Sequence, residues 1–537
     1  MCALKQPSYL IAIACGLVLL GMAPQPVLGQ AQNGANAAPF PNGGFANGFV
    51  LNPNGNGNGN GGNTNSQRGA AANADFDSLI DLIVSTVATE TWQENGGGEA
   101  EIRPFPGGVL VDAAGMLRLK ETAGADQLKT LAARRGTAPS AAAQPVGNAR
   151  GTSKLRYISL PRLEREIARR QAAHEKLDPT MLTLAGLARV KYLFVYPESG
   201  DLVIAGPAGD WFVEDGRILS KATNEPVVRL DDLLVLLRRP DAVKSHFGCS
   251  INPRQEALAK TQAFLTASSR KPLEPGQRTK WLGNLRDTVG RQDIEVFGVD
   301  PTSRLSRVLV EADYHMKLVG MGLADGVDGV ESYLNSIRLK PGESPPAMSV
   351  LRWWFTLNYD TIARSETKDA FELVGQGVRV LSENEMLAQQ GQRVHTGQSD
   401  PLNRQFAESF TAHFDDLAKK YPVYGELRNI FDLAMVTAVI QSEGLAAEVG
   451  WKPTILASSN KLRLPQGNVP REVETVINHR VLNQRTILAG VSGGVMVAPS
   501  DVLQNVRAND SAGTTVGISA APAPKELAAE AWWWDGK

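Results

Sequence analysis

His174, His246, His315, His395, His413 and His479 are the six histidines of this chain. Their spacing forms no His-x3-His pair and no Cys/His zinc pattern. There is no Gly-x-Ser-x-Gly elbow and no phosphate loop ending in Lys-Ser or Lys-Thr. The densest cluster of acid–base groups is Glu311, Asp313 and His315, and these are the catalytic candidates. At 100° per residue, His315 falls about 80° to one side of the apolar stripe and Asp313 about 80° to the other. The pair flanks the core face without converging, so a shared site needs a partner from elsewhere. Glu311 and His315, four apart, are placed to pair. Gly320, Gly322 and Gly326 follow a helix rather than joining a strand to one, which argues against a dinucleotide loop. Asp325-Gly326-Val327-Asp328-Gly329 lacks the alternating acids and final Glu of a calcium loop and reads as a turn. No cofactor and no metal ligand is expected.

The elements that must position these groups centre on residues 247–323. Phe247-Gly248-Cys249-Ser250-Ile251-Asn252-Pro253 and Val296-Phe297-Gly298-Val299-Asp300-Pro301 each read as a strand, an Asx N-cap and a Pro at the first helical position. The second helix carries Leu305, Val308, Leu309, Ala312, Met316, Val319 and Leu323 on one stripe. Arg304, Arg307 and Glu311 are expected on its other side, and the strand 294–297 beneath it. Another helix is expected over 277–289. Cys249 sits on a presumptive core strand and reads as buried, a redox or thiol role being the alternative.

At 537 residues there is room for two or three domains, and a formal net charge of -1 gives no global electrostatic case for nucleic acid. Arg162, Arg165, Arg169 and Arg170 alternate with Glu164 and Glu166, which reads as an ion-paired helix face. The chain opens with Lys5 and an apolar run from Tyr9 to Ala23, followed by small residues. That is the pattern of a secretory signal, with an uncleaved anchor as the alternative. No later run is long enough to span a membrane, so no integral span is expected after cleavage. Cys2 and Cys15 lie in the signal, which leaves Cys249 as the single cysteine of the mature chain.

The division read from composition is a signal peptide at 1–29, a Gly/Asn-rich disordered linker at 30–74 and a small α+β module at 75–120. A linker follows at 121–153, then an α+β domain with a hairpin at 154–245, and a larger α+β domain at 246–450. Residues 451–537 read as weakly ordered. Within 154–245, Val190 to Tyr196 and Asp201 to Ala205 form a hairpin across Pro197-Glu198-Ser199-Gly200. Within 246–450, an antiparallel meander over 350–381 is expected to be covered by two helices, one starting at Pro401 and one over 424–442. Trp353 and Trp354 face opposite sides of a strand, so at least one belongs to the core, although Arg352-Trp353-Trp354-Phe355 also suits a sugar-stacking surface. Trp532-Trp533-Trp534 near the C-terminus is either a docking peg or a segment packed back on the body.

Ser78-Leu79-Ile80-Asp81-Leu82-Ile83 through Trp92, with Ile102-Arg103-Pro104-Phe105-Pro106-Gly107, resembles secretin N-terminal modules, small α+β units that associate side by side. Gly107 to Arg118, Tyr196 to Pro207 and Gly248 to Pro253 resemble signatures of a planctomycete-type family of uncharacterised exported bacterial proteins. That resemblance runs roughly over 103–450. It implies export and bacterial origin and carries over no catalytic residue. The reading that follows is an exported, periplasmic or extracellular α+β protein, a non-catalytic envelope scaffold or assembly component with a protein or envelope partner. The competing reading is an extracytoplasmic hydrolase or carbohydrate-active enzyme with carboxylates gathered from dispersed positions.

Overall fold

The computed structural model describes residues 101–105, 108–112, 148–268, 277–338, 349–464, 467–482, 485–508 and 531–536. The expected signal segment, the 30–74 linker, most of the 75–120 module and nearly all of the 121–153 linker lie outside these residues. Described residues all fall in one compact unit, Ala38–Lys537.

A hairpin of β1 (Glu101–Phe105) and β2 (Gly108–Asp112) comes first. β3 (Ser153–Ser159) leads into α1 (Leu160–Ala172), then the expected hairpin of β4 (Tyr192–Tyr196) and β5 (Asp201–Ala208). A small hairpin, β6 (Trp211–Glu214) and β7 (Arg217–Ser220), precedes α2 (Leu230–Leu237). The central stretch is β8 (Phe247–Pro253), α3 (Gln255–Ser268), α4 (Arg278–Val289), β9 (Arg291–Phe297) and α5 (Arg304–Met321). Then come β10 (Ser349–Asn358), β11 (Thr361–Arg364), β12 (Ala370–Val374), β13 (Gly377–Leu387) and β14 (Arg393–His395). Helices α6 (Pro401–Ala412), α7 (Phe414–Lys420) and α8 (Pro422–Ser442) follow. The chain closes with β15 (Glu472–Glu474), β16 (Ile477–Leu482), β17 (Arg485–Val497), β18 (Val506–Ala508) and β19 (Trp533–Asp535). The fold is α+β.

Two large sheets organise these strands. The eight-stranded sheet runs β14-β13-β10-β17-β8-β9-β15, with β16 also on β17, and the seven-stranded sheet runs β18-β11-β12-β4-β5-β3-β19. One continuous apolar core takes Ile158, Leu193 and Ile204 from the smaller sheet and Cys249, Leu351 and Val495 from the larger. It also includes Leu233 of α2, Leu309 of α5 and Phe431 of α8. Helix α5 packs on β17 and β8 and beneath α8 and α2.

Several expectations change at this level. The meander is divided: β10 pairs with β13 in one sheet, while β11 and β12 pair with each other and join β4 in the other. The excursion between β10 and β13 thereby crosses the expected boundary at 245/246. Asn252 and Pro253 are not a helix start, because they continue β8 opposite Asp293 and Gln292. Pro253 lies beyond the last β17 partner, Ile251, so its missing amide breaks no bond there. Asp300 caps a turn instead, accepting from Thr302 N at 2.8 Å, and Ser303 caps α5. The sides of α5 expected to be polar are also enclosed, since Arg304 and Arg307 are buried.

The segment expected to be weakly ordered supplies the centre of the larger sheet. β17 lies between β10 on one side and β16 and β8 on the other. At Gly493, φ is +149° and an added Cβ would lie 1.5 Å from Trp353 O, so only glycine fits. The tryptophan segment packs back on the body: Trp533 pairs with Ile158 and Trp534 with Tyr157. Trp534 stacks on the Tyr157 ring at 5.6 Å between centroids. Fully buried Arg156 holds Asp535 through two bonds, 2.7 and 3.0 Å, beneath the Trp533 ring. Trp534→Ala is therefore expected to destabilise the protein by roughly 3–5 kcal/mol, read as a lower urea midpoint with unchanged slope. An unchanged midpoint would mean that the C-terminal strand contributes nothing to the body.

Candidate functional site

The structure does not bring Glu311, Asp313 and His315 together. Each is taken by a different neighbour. Glu311 pairs with Arg217 of β7. Asp313 pairs with Lys317 at 2.7 Å, both fully enclosed. His315 Nδ1 meets the Tyr424 hydroxyl at 2.7 Å, under the Tyr421 ring. Burial raises the Asp313 carboxyl above the ordinary aspartate range, against the attraction of Lys317. Burial likewise lifts the Tyr424 hydroxyl well above its usual value.

Ion pairing extends from α5 into its neighbours. Arg304 donates to Asp232 Oδ2 at 2.6 Å and also pairs with Glu426 of α8. Arg217 pairs with Glu426 as well, so two arginines share one carboxylate. Arg229 holds Asp231 at 2.6 Å. Burial opposes ionisation of Asp231, but the charges of Arg229 and Arg304 hold its carboxyl below the usual range. For Asp232 burial prevails over Arg304, the Asp231 charge adds to it, and the carboxyl is pushed up to about 6.

Cys249 is buried, as its place on a core strand implied. Burial, with the Asp313 charge behind it, pushes its thiol well above the ordinary range, which disfavours the reactive thiolate. The sugar-stacking reading of the aromatic run does not hold. Trp353 is buried against Phe406 and donates to Asn403 Oδ1 at 2.6 Å, and Trp354 is buried beneath the Arg352 guanidinium.

A different cluster converges at the end of the larger sheet. Glu383 and Glu385 stand two apart on β13 and so share a face, and β14 places His395 directly opposite Glu385. One ligand atom from each of the three lies within 4.8 Å of the others. His395 Nδ1 is 3.0 Å from Glu385 Oε1 and 3.3 Å from Glu383 Oε2. Both carboxylates are buried. Arg352 Nη1 holds Glu383 Oε2 at 2.8 Å, and Arg393 Nη2 lies 2.7 Å from Glu385 Oε1. Burial draws the Arg393 guanidinium down to about 9, against the pull of Glu385. Helix α3 closes over the turn between β13 and β14, where Gly391 adopts φ +75° and a Cβ would lie 2.6 Å from Ala259 N.

Among the described residues this is the one group of three or more His, Cys, Asp or Glu placed to hold a metal ion. Sequence reading missed it because it ended the strand at Leu381 and treated His395 by spacing alone. The alternation Glu383-Asn384-Glu385-Met386 was the available signal, but its partner arrives only through register.

Residues 249–333 match the model of a family described as a protein of unknown function, DUF1598. The match covers most of β8, all of α3 through α5 and their neighbouring turns, including Glu311, Asp313 and His315. Glu383, Glu385 and His395 lie beyond it. Neither a curated protein nor a solved structure matches the chain.

Two outcomes test these assignments. Asp232 binds its proton more tightly folded than unfolded, so its contribution to stability is complete below about pH 4 and is lost as pH rises through about 6. Unfolding free energies measured across that window are expected to decline less in Asp232→Asn than in the parent, and equal slopes would refute the assignment. A maleimide reagent is expected to label Cys249 only after denaturation, and labelling of the native protein would reopen a thiol role.

Proposed function

We propose that this chain is an exported component of a bacterial envelope that works by binding, as a scaffold or assembly part. The observation that carries this reading is an apolar pair at the open end of the larger sheet. Met386 is 60% exposed and Val394 43% exposed. They are cross-strand partners on β13 and β14, and β14 ends the sheet among the described residues. A strand at the end of the sheet order, carrying two exposed apolar side chains, suits the addition of an extended segment from another protein.

The N-terminal apolar run and the Asn/Gly-rich segment support the same reading, since together they suit export and display at a distance. The likeness of residues 78–107 to modules that associate side by side points the same way. No helix among the described residues is long and apolar enough to cross a membrane.

The test is a photo-crosslinking residue at position 394 in the tagged full-length protein, irradiated in cells. One protein product in near-equal amount is expected, and Met386→Lys is expected to reduce it at least several-fold while leaving circular dichroism unchanged. Recovery of a free monomer with no product would overturn the binding reading. It would turn attention to the alternative, an extracytoplasmic hydrolase or carbohydrate-active enzyme.

A further inference from the structure

We infer that Glu383, Glu385 and His395 form a binding site for a divalent transition-metal ion of the zinc type. The site lies on the face of β13 and β14 opposite Met386 and Val394, so the inference stands apart from the proposed docking edge. Two carboxylate oxygens and one imidazole nitrogen are a donor set that suits zinc.

Backbone pairing fixes the donors. Glu385 and His395 are cross-strand partners, and Glu383 is the next residue of β13 on that face. The outer oxygens are oriented by neighbours. Gly397 N donates to Glu383 Oε1 at 2.8 Å, and Ser492 Oγ donates to Glu385 Oε2 at 3.3 Å. That leaves Glu383 Oε2 and Glu385 Oε1 turned toward His395 Nδ1. Such outer contacts are what hold metal ligands in place.

A second observation is independent of the clustering. Glu385 Oε1 is buried and receives no directed hydrogen bond. Arg393 Nη2 is near enough for charge attraction at 2.7 Å, but its N–H does not meet the oxygen in hydrogen-bonding geometry. A buried carboxylate oxygen without a directed donor is costly, and a cation at that point satisfies it. Arg352 and Arg393 balance the two carboxylates, so the ion binds at Glu383 Oε2 and Glu385 Oε1 in competition with them. Arg352 retains the face of Trp354, 4.5 Å from its guanidinium. The His395 side chain is 35% exposed, which provides a way in and room for a water ligand.

The test uses the full-length protein, stripped with a chelator and titrated with Co²⁺ as the spectroscopic probe and Zn²⁺ as competitor. One equivalent of Co²⁺ is expected to bind with visible d–d absorption and to be displaced by Zn²⁺. His395→Ala, at the solvent-facing ligand, is expected to fold normally and to weaken binding by at least roughly tenfold. E385Q should do the same, while His413→Ala should leave binding unchanged. No binding by the parent, or equal binding in the parent and His395→Ala, would overturn the assignment. Captured partners at position 394 report on the docking edge alone, so the two readings fail separately.

Discussion

A helix carrying Arg304, Glu311, Asp313 and Lys317 can occupy a protein core only if each charge meets its opposite there. That condition shapes this molecule. Helix α5 lies between the larger sheet and α2 and α8, and its ends and flanks are tied to those elements by charge. Arg304 reaches Asp232 of α2 and Glu426 of α8, while Arg217 of β7 reaches Glu311 and Glu426. Asp313 and Lys317 neutralise each other within the helix. Removing one partner leaves an uncompensated buried charge, which costs about 3–5 kcal/mol in comparable cases. The network therefore restricts how α2, α5, α8 and the small hairpin can be arranged, beyond what apolar contact specifies.

The second constraint is that late segments complete early ones. β17 enters the middle of the larger sheet, and β18 and β19 finish the two ends of the smaller one. Gly493 and Gly494 have no side chain to keep β10 and β8 away: an added Cβ would fall on Trp353 O or Cys249 O. The same close packing encloses Trp353 and Cys249, which removes both from the list of accessible reactive or stacking groups. Chemistry that looks available in the sequence is thus consumed by architecture, whereas Glu383, Glu385 and His395 gather at the sheet's end.

Local elements were legible where periodicity and caps agree. The hairpin from Tyr192 to Ala208, helix α4 and the Pro401 helix stand close to their expected places. Helix α1 keeps the ion pairing read from its sequence, with Glu166 accepting from Arg169 and Arg170. Its Glu164 does something else, turning inward to accept from Trp451 Nε1 at 2.6 Å. Cap positions were less legible. Asx-Pro marks a helix start only when the chain turns there, and at Pro253 the strand continues because β9 remains beside it.

The sequence by itself determined the α+β class, the major hairpin, most helices of the middle of the chain, and the burial of Cys249. These depend on hydrophobic period and turn chemistry, which act over a few residues. Tertiary structure alone decided that β11 and β12 leave β10 and β13 for another sheet, and that the glycine-rich β17 is central. It also decided that Glu311, Asp313 and His315 part company while Glu383, Glu385 and His395 meet. Strand order and register arise from competition among distant segments for the same backbone hydrogen bonds and the same buried volume. Spacing along one chain carries little record of that competition.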